Sequence, residues 1–162
     1  MKNYIIAFSS LIFLVAIVFG VKSCKEVTNA PTEPKFSNPF IDDSTTVKVY
    51  RVVDGDTFEF IIERDTIDVR VLELDCFESR RGSRLNEQAA QVGLDPEVAL
   101  IIGQSAKTFA TNYLVGKTVS IVRDRTQDNF DSFARLLRKV YVDGKLFKDT
   151  MCVQMFTVEC YR

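Results

Sequence analysis

Three short stretches of the chain carry side chains suited to the cleavage of phosphodiester bonds. They are residues 53–57, with Asp56 after an Asp-Gly turn, residues 70–78, and residues 131–135, which end in Arg135. Together they supply carboxylates for a hard cation, one further carboxylate that could act as a base, and two arginines that could oppose the charge on a phosphorane. The combination predicts a nuclease.

The composition of the chain narrows this chemistry. None of the 162 residues is a histidine, which excludes Ser-His-Asp triads and zinc sites that depend on histidine. The formal net charge is -1, so affinity for nucleic acid must come from a local cluster or a bound cation rather than from bulk charge. Hydrophobic residues make up 46% and charged residues 27%, a composition typical of one globular domain with a packed core.

The Asp54-Gly55 dipeptide and Arg70 can also be explained as structural residues without a catalytic role. Asp54-Gly55 is a common hairpin dipeptide and needs no catalytic role. Arg70 lies on an otherwise apolar strand, where an inward charge is costly unless it is paired. It could therefore be a barrel-rim residue that forms a salt bridge with Asp56 or Asp75.

The later motifs leave the same choice open. Asp75 and Glu78 follow the strand of Arg70, where irregular backbone can offer carboxylates to a cation, but they could also be solvated loop acids. Arg135 lies where a polar loop re-enters a strand, a usual place for a functional side chain. The neighbouring Arg138 and Lys139 show that it could equally be a surface cation.

Hydrophobic periodicity predicts the elements that position these residues. Alternating residues predict a hairpin around Asp54-Gly55 and a third strand at 67–72. Helices are expected at 85–92 and from the capping pair Asp95-Pro96 to Gly116. The remaining predicted elements are two strands and a last helix, at residues 118–123, 136–142 and 145–155. Because no βαβ alternation appears, we predict an α+β fold built on a small closed barrel.

The N-terminal segment, residues 1–24, is typical of a targeting signal. Lys2 is followed by a nearly uninterrupted apolar run and then by Cys24. The run, of roughly 18 residues, is at the lower limit for a membrane-spanning helix, so a cleaved signal peptide and a permanent membrane anchor both remain open. Cys24 follows a small residue and resembles the lipidated cysteine of bacterial lipoproteins. We expect residues 25–162 outside the cytoplasm, in the bacterial cell envelope, or secreted if cleavage leaves no lipid.

A linker is predicted at residues 25–44. It carries three of the four prolines of the chain among polar residues and has no regular apolar period. Such a segment is stiff and extended, and it would hold a domain away from the membrane surface. The folded domain is therefore expected at residues 45–162.

Residues 46–161 resemble the staphylococcal nuclease, or thermonuclease, family. The resemblance rests on four motifs: Val-Asp-Gly-Asp-Thr at 53–57, Val-Arg-Val-Leu at 69–72, Leu-Asp-Cys-Phe-Glu at 74–78 and Asp-Ser-Phe-Ala-Arg at 131–135. The Asp143-Gly144 turn follows at the expected distance. The resemblance implies a five-stranded OB-type barrel with flanking helices.

The resemblance also implies a calcium-dependent nuclease and assigns its residues. The implied ligands of Ca²⁺ are the carboxylates of Asp56 and Asp75 and the backbone carbonyl of Cys76. The implied catalytic residues are Arg70, Glu78 and Arg135. In the family, the glutamate is usually assigned as the general base, the two arginines bind phosphate, and cleavage of the bond to the 5′ oxygen leaves 3′-phosphate ends.

The chain departs from the family pattern at three places. Cys76 and Phe77 stand where the family usually has Thr and Pro, which makes the segment less rigid in its backbone. Ser132 and Phe133 replace a usual lysine and tyrosine. The segment 79–103 is longer than in the smaller family members.

The expected partner is a single-stranded DNA or RNA, because an open barrel face can stack unpaired bases. Phe133 and Tyr161 are candidate stacking residues, with packing in the core as the alternative for each. The chain is expected to act as a monomer. The alternative function is a non-catalytic OB-type nucleic-acid-binding module that keeps the barrel without hydrolysis.

The cysteines predict two modifications if the chain is exported. Cys24 would be lipidated, and Cys152 and Cys160 could form a disulfide across a short C-terminal loop. The alternative for this pair is that both thiols are reduced and buried. A bridge would require the last helix to end sharply after Met155.

Overall fold

The computed structural model describes residues 43–62 and 64–162. The predicted signal or anchor at 1–24, the lipidation of Cys24 and nearly all of the linker lie outside the described residues. Within the described part, no helix is both long and apolar enough to cross a bilayer.

The described chain folds into six strands and three α-helices, followed by a short 3₁₀ helix. The strands are β1 (Ser44–Asp54), β2 (Thr57–Ile62), β3 (Asp65–Val71), β4 (Thr118–Val122), β5 (Leu136–Val142) and β6 (Lys145–Leu146). The helices are α1 (Ser83–Val92), α2 (Pro96–Leu114), α3 (Phe147–Val153) and the 3₁₀ helix Val158–Tyr161.

Five of the strands close into a barrel. The order is β3-β2-β1-β4-β5, and β5 returns to pair with β3. This closing pair is parallel, with Val69 opposite Leu136 and Val71 opposite Arg138, whereas the other pairs are antiparallel. The fold is therefore an α+β, OB-like five-stranded mixed barrel with three helices, and the predicted fold class is confirmed.

Local sequence signals explain several boundaries. Asp95 caps α2 by accepting a hydrogen bond from the Glu97 N–H at 2.8 Å, and Pro96 occupies the first helical position, as expected for a helix start. Gly116 follows the end of α2 with φ +80°. The last helix is shorter than the predicted 145–155, because residues 145 and 146 pair with β5 as strand β6.

The interior consists of two clusters of buried side chains. The larger cluster fills the barrel and extends to α2 and α3 through Ala106, Leu114 and Met151. The smaller cluster lies beside α1 and includes the following residues: Phe77, Leu85, Ala89, Ala99, Leu100 and Val158. Phe77 belongs to the segment between β3 and α1, so the smaller cluster packs that segment against α1 and α2.

Arg138 is a fully buried charged residue of β5. Its Nη1 donates to Asn129 Oδ1 at 2.8 Å and to the Leu137 carbonyl at 2.7 Å. Its Nε and Nη2 are buried and have no partner among the described residues. Burial lowers the pKa of Arg138, and the positive charge of Arg123 lowers it further.

Of the two alternatives for Cys152 and Cys160, the structure shows the reduced one, because both are free thiols. Cys160 lies in the 3₁₀ helix, where its Sγ is 3.1 Å from Thr157 Oγ1 and 3.8 Å from the carbonyl oxygen of Cys152. The sulfur of Cys160 thus contacts the Thr157 hydroxyl and the carbonyl oxygen of Cys152. Each of the two residues is half-buried rather than fully buried.

Candidate active site

A cleft of about 660 Å³ opens at one end of the barrel. Its lining residues are Arg70, Asp75, Glu78, Arg84, Phe133 and Arg135. Five of these six were among the eight site residues predicted from the sequence, and Arg84 was not. The cleft gathers three arginines and two carboxylates from separate parts of the chain.

Barrel closure brings the two predicted arginines together. Arg70 is the penultimate residue of β3, and Arg135 immediately precedes β5. Because the last residues of β3 pair with the first residues of β5, with Arg70 opposite Leu137, the two arginines lie near each other at one end of this strand pair. The carboxylates of Asp75 and Glu78 follow directly after β3.

Arg70 links the two predicted metal-binding aspartates. Its Nη1 forms an ion pair with Asp56 Oδ1, and its Nη2 lies 3.1 Å from Asp75 Oδ1. Burial opposes the charge of Arg70, but the attraction of the two carboxylates outweighs it and raises its pKa. Arg70 therefore pairs with both aspartates at once.

Asp56 is buried, with 3% of its surface exposed. Its Oδ1 accepts a hydrogen bond from the Thr57 hydroxyl at 2.9 Å, and its Oδ2 accepts one from the Cys76 N–H at 3.0 Å. Burial raises the pKa of Asp56, while Arg70 and the two hydrogen bonds act in the opposite direction. Asp56 thus ties the β1–β2 turn to the segment that carries Asp75.

Glu78 is a half-buried carboxylic acid on the wall of the cleft. Its side chain forms no ion pair with another described residue. Burial raises its pKa, and the negative charges of Asp54 and Asp56 raise it further. A carboxylate with a raised pKa and no cation bound to it is suited to accept a proton.

Asp131 orients Arg135, a role the sequence prediction missed. Its Oδ2 accepts hydrogen bonds from Arg135 Nε at 2.7 Å and pairs with Nη2 at 2.6 Å. Its Oδ1 accepts from the backbone N–H groups of Phe133 and Arg135. Burial opposes ionisation, but these bonds lower the pKa of Asp131. Arg135 Nη1 then lies 3.3 Å from the Thr57 hydroxyl.

Helix α1 supplies two further residues that sequence reasoning missed. Arg84 Nη2 lies 3.3 Å from Asp75 Oδ2. Gln88, one helical turn later, donates to Asp75 Oδ1 at 3.2 Å. The spacing of four residues places both side chains on one edge of the helix. This spacing was visible in the sequence, but the packing of that edge against Asp75 was not.

The remaining predicted residues lie at different places. The Cys76 carbonyl accepts a hydrogen bond from Gln88 Nε2 at 2.9 Å, while burial raises the pKa of the Cys76 thiol. Tyr161 packs edge to face on Phe77, with ring centroids 5.7 Å apart, and its hydroxyl donates to the Met155 carbonyl at 3.0 Å. Tyr161 thus packs, partly buried, against the smaller core cluster and does not line the cleft.

Phe133 is the exposed aromatic residue of the cleft. Its side chain is 78% exposed, and the guanidinium carbon of Arg135 lies 5.3 Å from the centre of its ring. An aromatic face beside a fixed cation can stack a base next to a bound phosphate. Phe133 thus lies exposed at the cleft, and base stacking by its ring stays a prediction.

Only one of the three proposed calcium ligands, Asp75, lines the cleft, whereas Asp56 and Cys76 are buried and lie outside its lining. Asp75 Oδ1 and the Cys76 carbonyl share one hydrogen-bond donor, Gln88 Nε2, and Asp56 and Asp75 share Arg70. The atoms of Asp56, Asp75 and Cys76 that would bind the ion are all oxygens, the ligand type that Ca²⁺ prefers. In residues 43–62 and 64–162, no three Cys, His, Asp or Glu side chains form a metal-binding group. An ion here would need the backbone carbonyl and would compete with Arg70 for the carboxylates.

Comparison of the chain with protein-family models finds no match, and comparison with curated proteins also finds none.

Proposed function

We propose that this protein is a calcium-dependent nuclease that hydrolyses phosphodiester bonds of DNA, and of RNA, at the cleft. The observation that carries the proposal is the convergence of Arg70, Arg135 and Glu78 around one cleft beside Asp75. The arginines supply fixed positive charge for a phosphate, and Glu78 supplies a proton acceptor. The motifs that resemble the staphylococcal nuclease family support the same assignment.

Arg70 and Arg135 bind the phosphate group in this proposal. Their planar, permanently charged guanidinium groups match the geometry of phosphate oxygens. The side chain of Arg70 is 20% exposed and that of Arg135 is 26% exposed, so their charges are only partly screened by water. They therefore oppose the negative charge that grows on the equatorial oxygens in the transition state.

Glu78 accepts the proton of the attacking water. The water oxygen forms a bond to phosphorus, and the bond from phosphorus to the 5′ oxygen breaks, which leaves a 3′-phosphate and a 5′-hydroxyl. The 5′ oxygen takes up a proton from solvent or from Glu78. General-base catalysis of this kind typically contributes about 10² to 10⁴-fold to the rate.

Calcium would be held by the Asp56 and Asp75 carboxylates and the Cys76 carbonyl, and it would supply positive charge to polarise a phosphate oxygen. Arg70 already pairs with both aspartates, although its single positive charge offsets only one of their two negative charges. It therefore keeps the carboxylates close together before any cation arrives, at the cost of competing with that cation.

Single strands are the proposed substrates. Phe133 offers an exposed ring at the cleft for base stacking, which a duplex would prevent because its bases are already stacked and paired. The overall charge of -1 gives no general attraction to duplex DNA. Export to the bacterial envelope, attachment to a membrane through residues 1–24, and action as a monomer remain predictions from the sequence.

A non-catalytic nucleic-acid-binding module is the second candidate. Its support is the closed ion-pair network in which Arg70 and Arg84 both contact Asp75. If that network does not open to admit a cation, the three arginines and Phe133 would bind a single strand without cleaving it.

Cleavage with and without calcium separates the two candidates. Residues 25–162 are incubated with a labelled single-stranded oligonucleotide in calcium, in excess chelator, and in chelator followed by excess calcium. We expect cleavage in the first and third conditions, because the proposed mechanism needs the positive charge of the ion on a phosphate oxygen. Full hydrolysis in chelator would refute the metal role, and binding without cleavage in calcium would favour the module.

A further inference from the structure

Gln88 lies at the centre of α1 with a completely buried side chain. Its amide makes three hydrogen bonds to the segment 75–78. Nε2 donates to the Cys76 carbonyl at 2.9 Å and to Asp75 Oδ1 at 3.2 Å, and Oε1 accepts from the Glu78 N–H at 2.9 Å. One side chain thus contacts the two predicted ligand residues and the predicted base.

The pattern of these bonds requires an amide. Asp75 and Cys76 present acceptor oxygens, whereas Glu78 presents a donor N–H, so the partner must both donate and accept. A carboxylate at position 88 would place an oxygen against two other oxygens. An apolar side chain would leave buried polar groups without partners, each costly in an interior.

Helix α2 holds the same segment from another direction. A Cβ added to Gly103 would lie 2.3 Å from the Glu78 carbonyl oxygen and 2.6 Å from that of Phe77. The backbone of α2 therefore packs directly on residues 77 and 78. In addition, the Val158 N–H donates to the Asp75 carbonyl at 2.8 Å. These contacts fix the outer side of the segment, while Gln88 fixes the polar groups that border the cleft.

We propose that Gln88 is a positioning residue that holds the ion ligands Asp75 and Cys76 and the base Glu78 in one arrangement. Its catalytic consequence rests on the proposed function. Gln88 takes no part in the chemistry and lies behind the cleft wall. It acts by orienting the Cys76 carbonyl and the Asp75 carboxylate and by fixing the backbone from which Glu78 projects.

The competing view is that Gln88 only anchors α1. In that case its loss would lower stability and leave catalysis by the folded fraction unchanged. A positioning residue changes turnover and ion affinity in molecules that are fully folded. Partners that orient metal ligands typically contribute 10- to 100-fold to metal affinity or activity.

The test compares Gln88→Glu and Gln88→Met with Gln91→Glu and Gln91→Met in the full-length protein. Gln91 is an exposed glutamine of the same helix, so its variants control for helix propensity and charge. Three quantities are measured below the thermal unfolding midpoint of each variant: kcat, KM for a single-stranded oligonucleotide, and the dissociation constant of Ca²⁺ by calorimetry. Gln88→Met keeps a neutral side chain if Gln88→Glu fails to fold.

We expect both Gln88 variants to lower kcat by about 10- to 100-fold and to weaken Ca²⁺ binding by about 10-fold or more. KM should stay within about 3-fold, since Arg70 and Arg135 are untouched. Both Gln91 variants should match wild type. Unchanged kcat and Ca²⁺ affinity in folded Gln88→Met would overturn the proposal.

The wild-type measurements separate this proposal from the proposed function. A wild type that binds Ca²⁺ without cleaving the oligonucleotide refutes hydrolysis, and the Ca²⁺ titration of the variants still decides the role of Gln88. A wild type that neither binds Ca²⁺ nor cleaves overturns both proposals.

Discussion

Two arginines on the paired strands β3 and β5 are buried among partners of different charge. Arg70, beside the cleft, pairs with the carboxylates of Asp56 and Asp75. Arg138, opposite Val71 on the neighbouring strand, has only the neutral oxygens of Asn129 and Leu137 as hydrogen-bond acceptors among the described residues. The same side chain is thus charge-matched in one region and not in the other.

This difference shows where the fold tolerates a buried charge and where it depends on one. Removing Arg70 would leave Asp56 buried without its cation, and such uncompensated charges are strongly destabilising. Removing Arg138 would relieve the desolvation of a cation that has no carboxylate partner. The cleft is therefore the region whose charges must be present as a set.

The largest expected effect tests this contrast directly. Arg70→Met should lower the free energy of unfolding by about 3 to 5 kcal/mol, the usual cost of breaking a buried ion pair from one side. Arg138→Met should leave it unchanged or raise it. Chemical denaturation of both variants at neutral pH measures the difference. A larger loss for Arg138→Met than for Arg70→Met would contradict the account.

The next effect concerns turnover at the charge-matched end. Glu78→Gln should lower kcat by about 10² or more, because the base is lost while the shape of the side chain remains. The exposed Glu73, which pairs with Lys148 outside the cleft, provides the control Glu73→Gln. Initial rates of oligonucleotide cleavage give the comparison. Full activity in folded Glu78→Gln would remove Glu78 from the mechanism.

Phe133 and Tyr161 extend the comparison to aromatic residues inside and outside the cleft. Phe133→Ala should weaken binding of a single-stranded oligonucleotide by about 1 to 3 kcal/mol, the usual contribution of one stacked base. Tyr161→Phe should leave affinity unchanged, because its hydroxyl contacts only the Met155 carbonyl in the described chain. Fluorescence anisotropy measures both. Equal affinity of Phe133→Ala and wild type would remove Phe133 from the binding surface.

The smallest expected effect concerns Arg84, which is half-exposed and only loosely paired with Asp75. Arg84→Ala should reduce the slope of log affinity against log salt by about 0.7, as expected for one phosphate contact on a single strand. Arg81, paired with Glu97 away from the cleft, supplies the control Arg81→Ala. Similar slopes for wild type and Arg84→Ala would show that Arg84 contacts Asp75 rather than the nucleic acid.

Local signals in the sequence predicted most of the elements. The period-two runs predicted the strands, and Asp95-Pro96 predicted the start of α2, because these signals depend only on neighbouring residues. The motifs also identified five of the residues that line the cleft. Their joint placement follows from the parallel pairing of β3 with β5, a long-range contact that no local pattern specifies.

The contacts that the sequence did not predict also depend on packing between segments that are distant in the chain. Gln88 and Arg84 reach Asp75 because α1 packs beside residues 75–78, which helical periodicity alone cannot reveal. For Tyr161 the sequence left base stacking and core packing open, and the 3₁₀ helix places its ring on Phe77. Cys160 lies in the same helix, where its sulfur contacts the carbonyl oxygen of Cys152. The spacing of the two cysteines in the sequence does not reveal this contact.

Analysis of the product ends tests the central claim most directly. A single-stranded oligonucleotide is incubated with residues 25–162 in calcium and in chelator, and the ends of the fragments are identified by mass spectrometry. The account predicts fragments with 3′-phosphate ends that appear only in calcium. Intact oligonucleotide that stays bound to the protein in calcium, or fragments with 5′-phosphate ends, would contradict it.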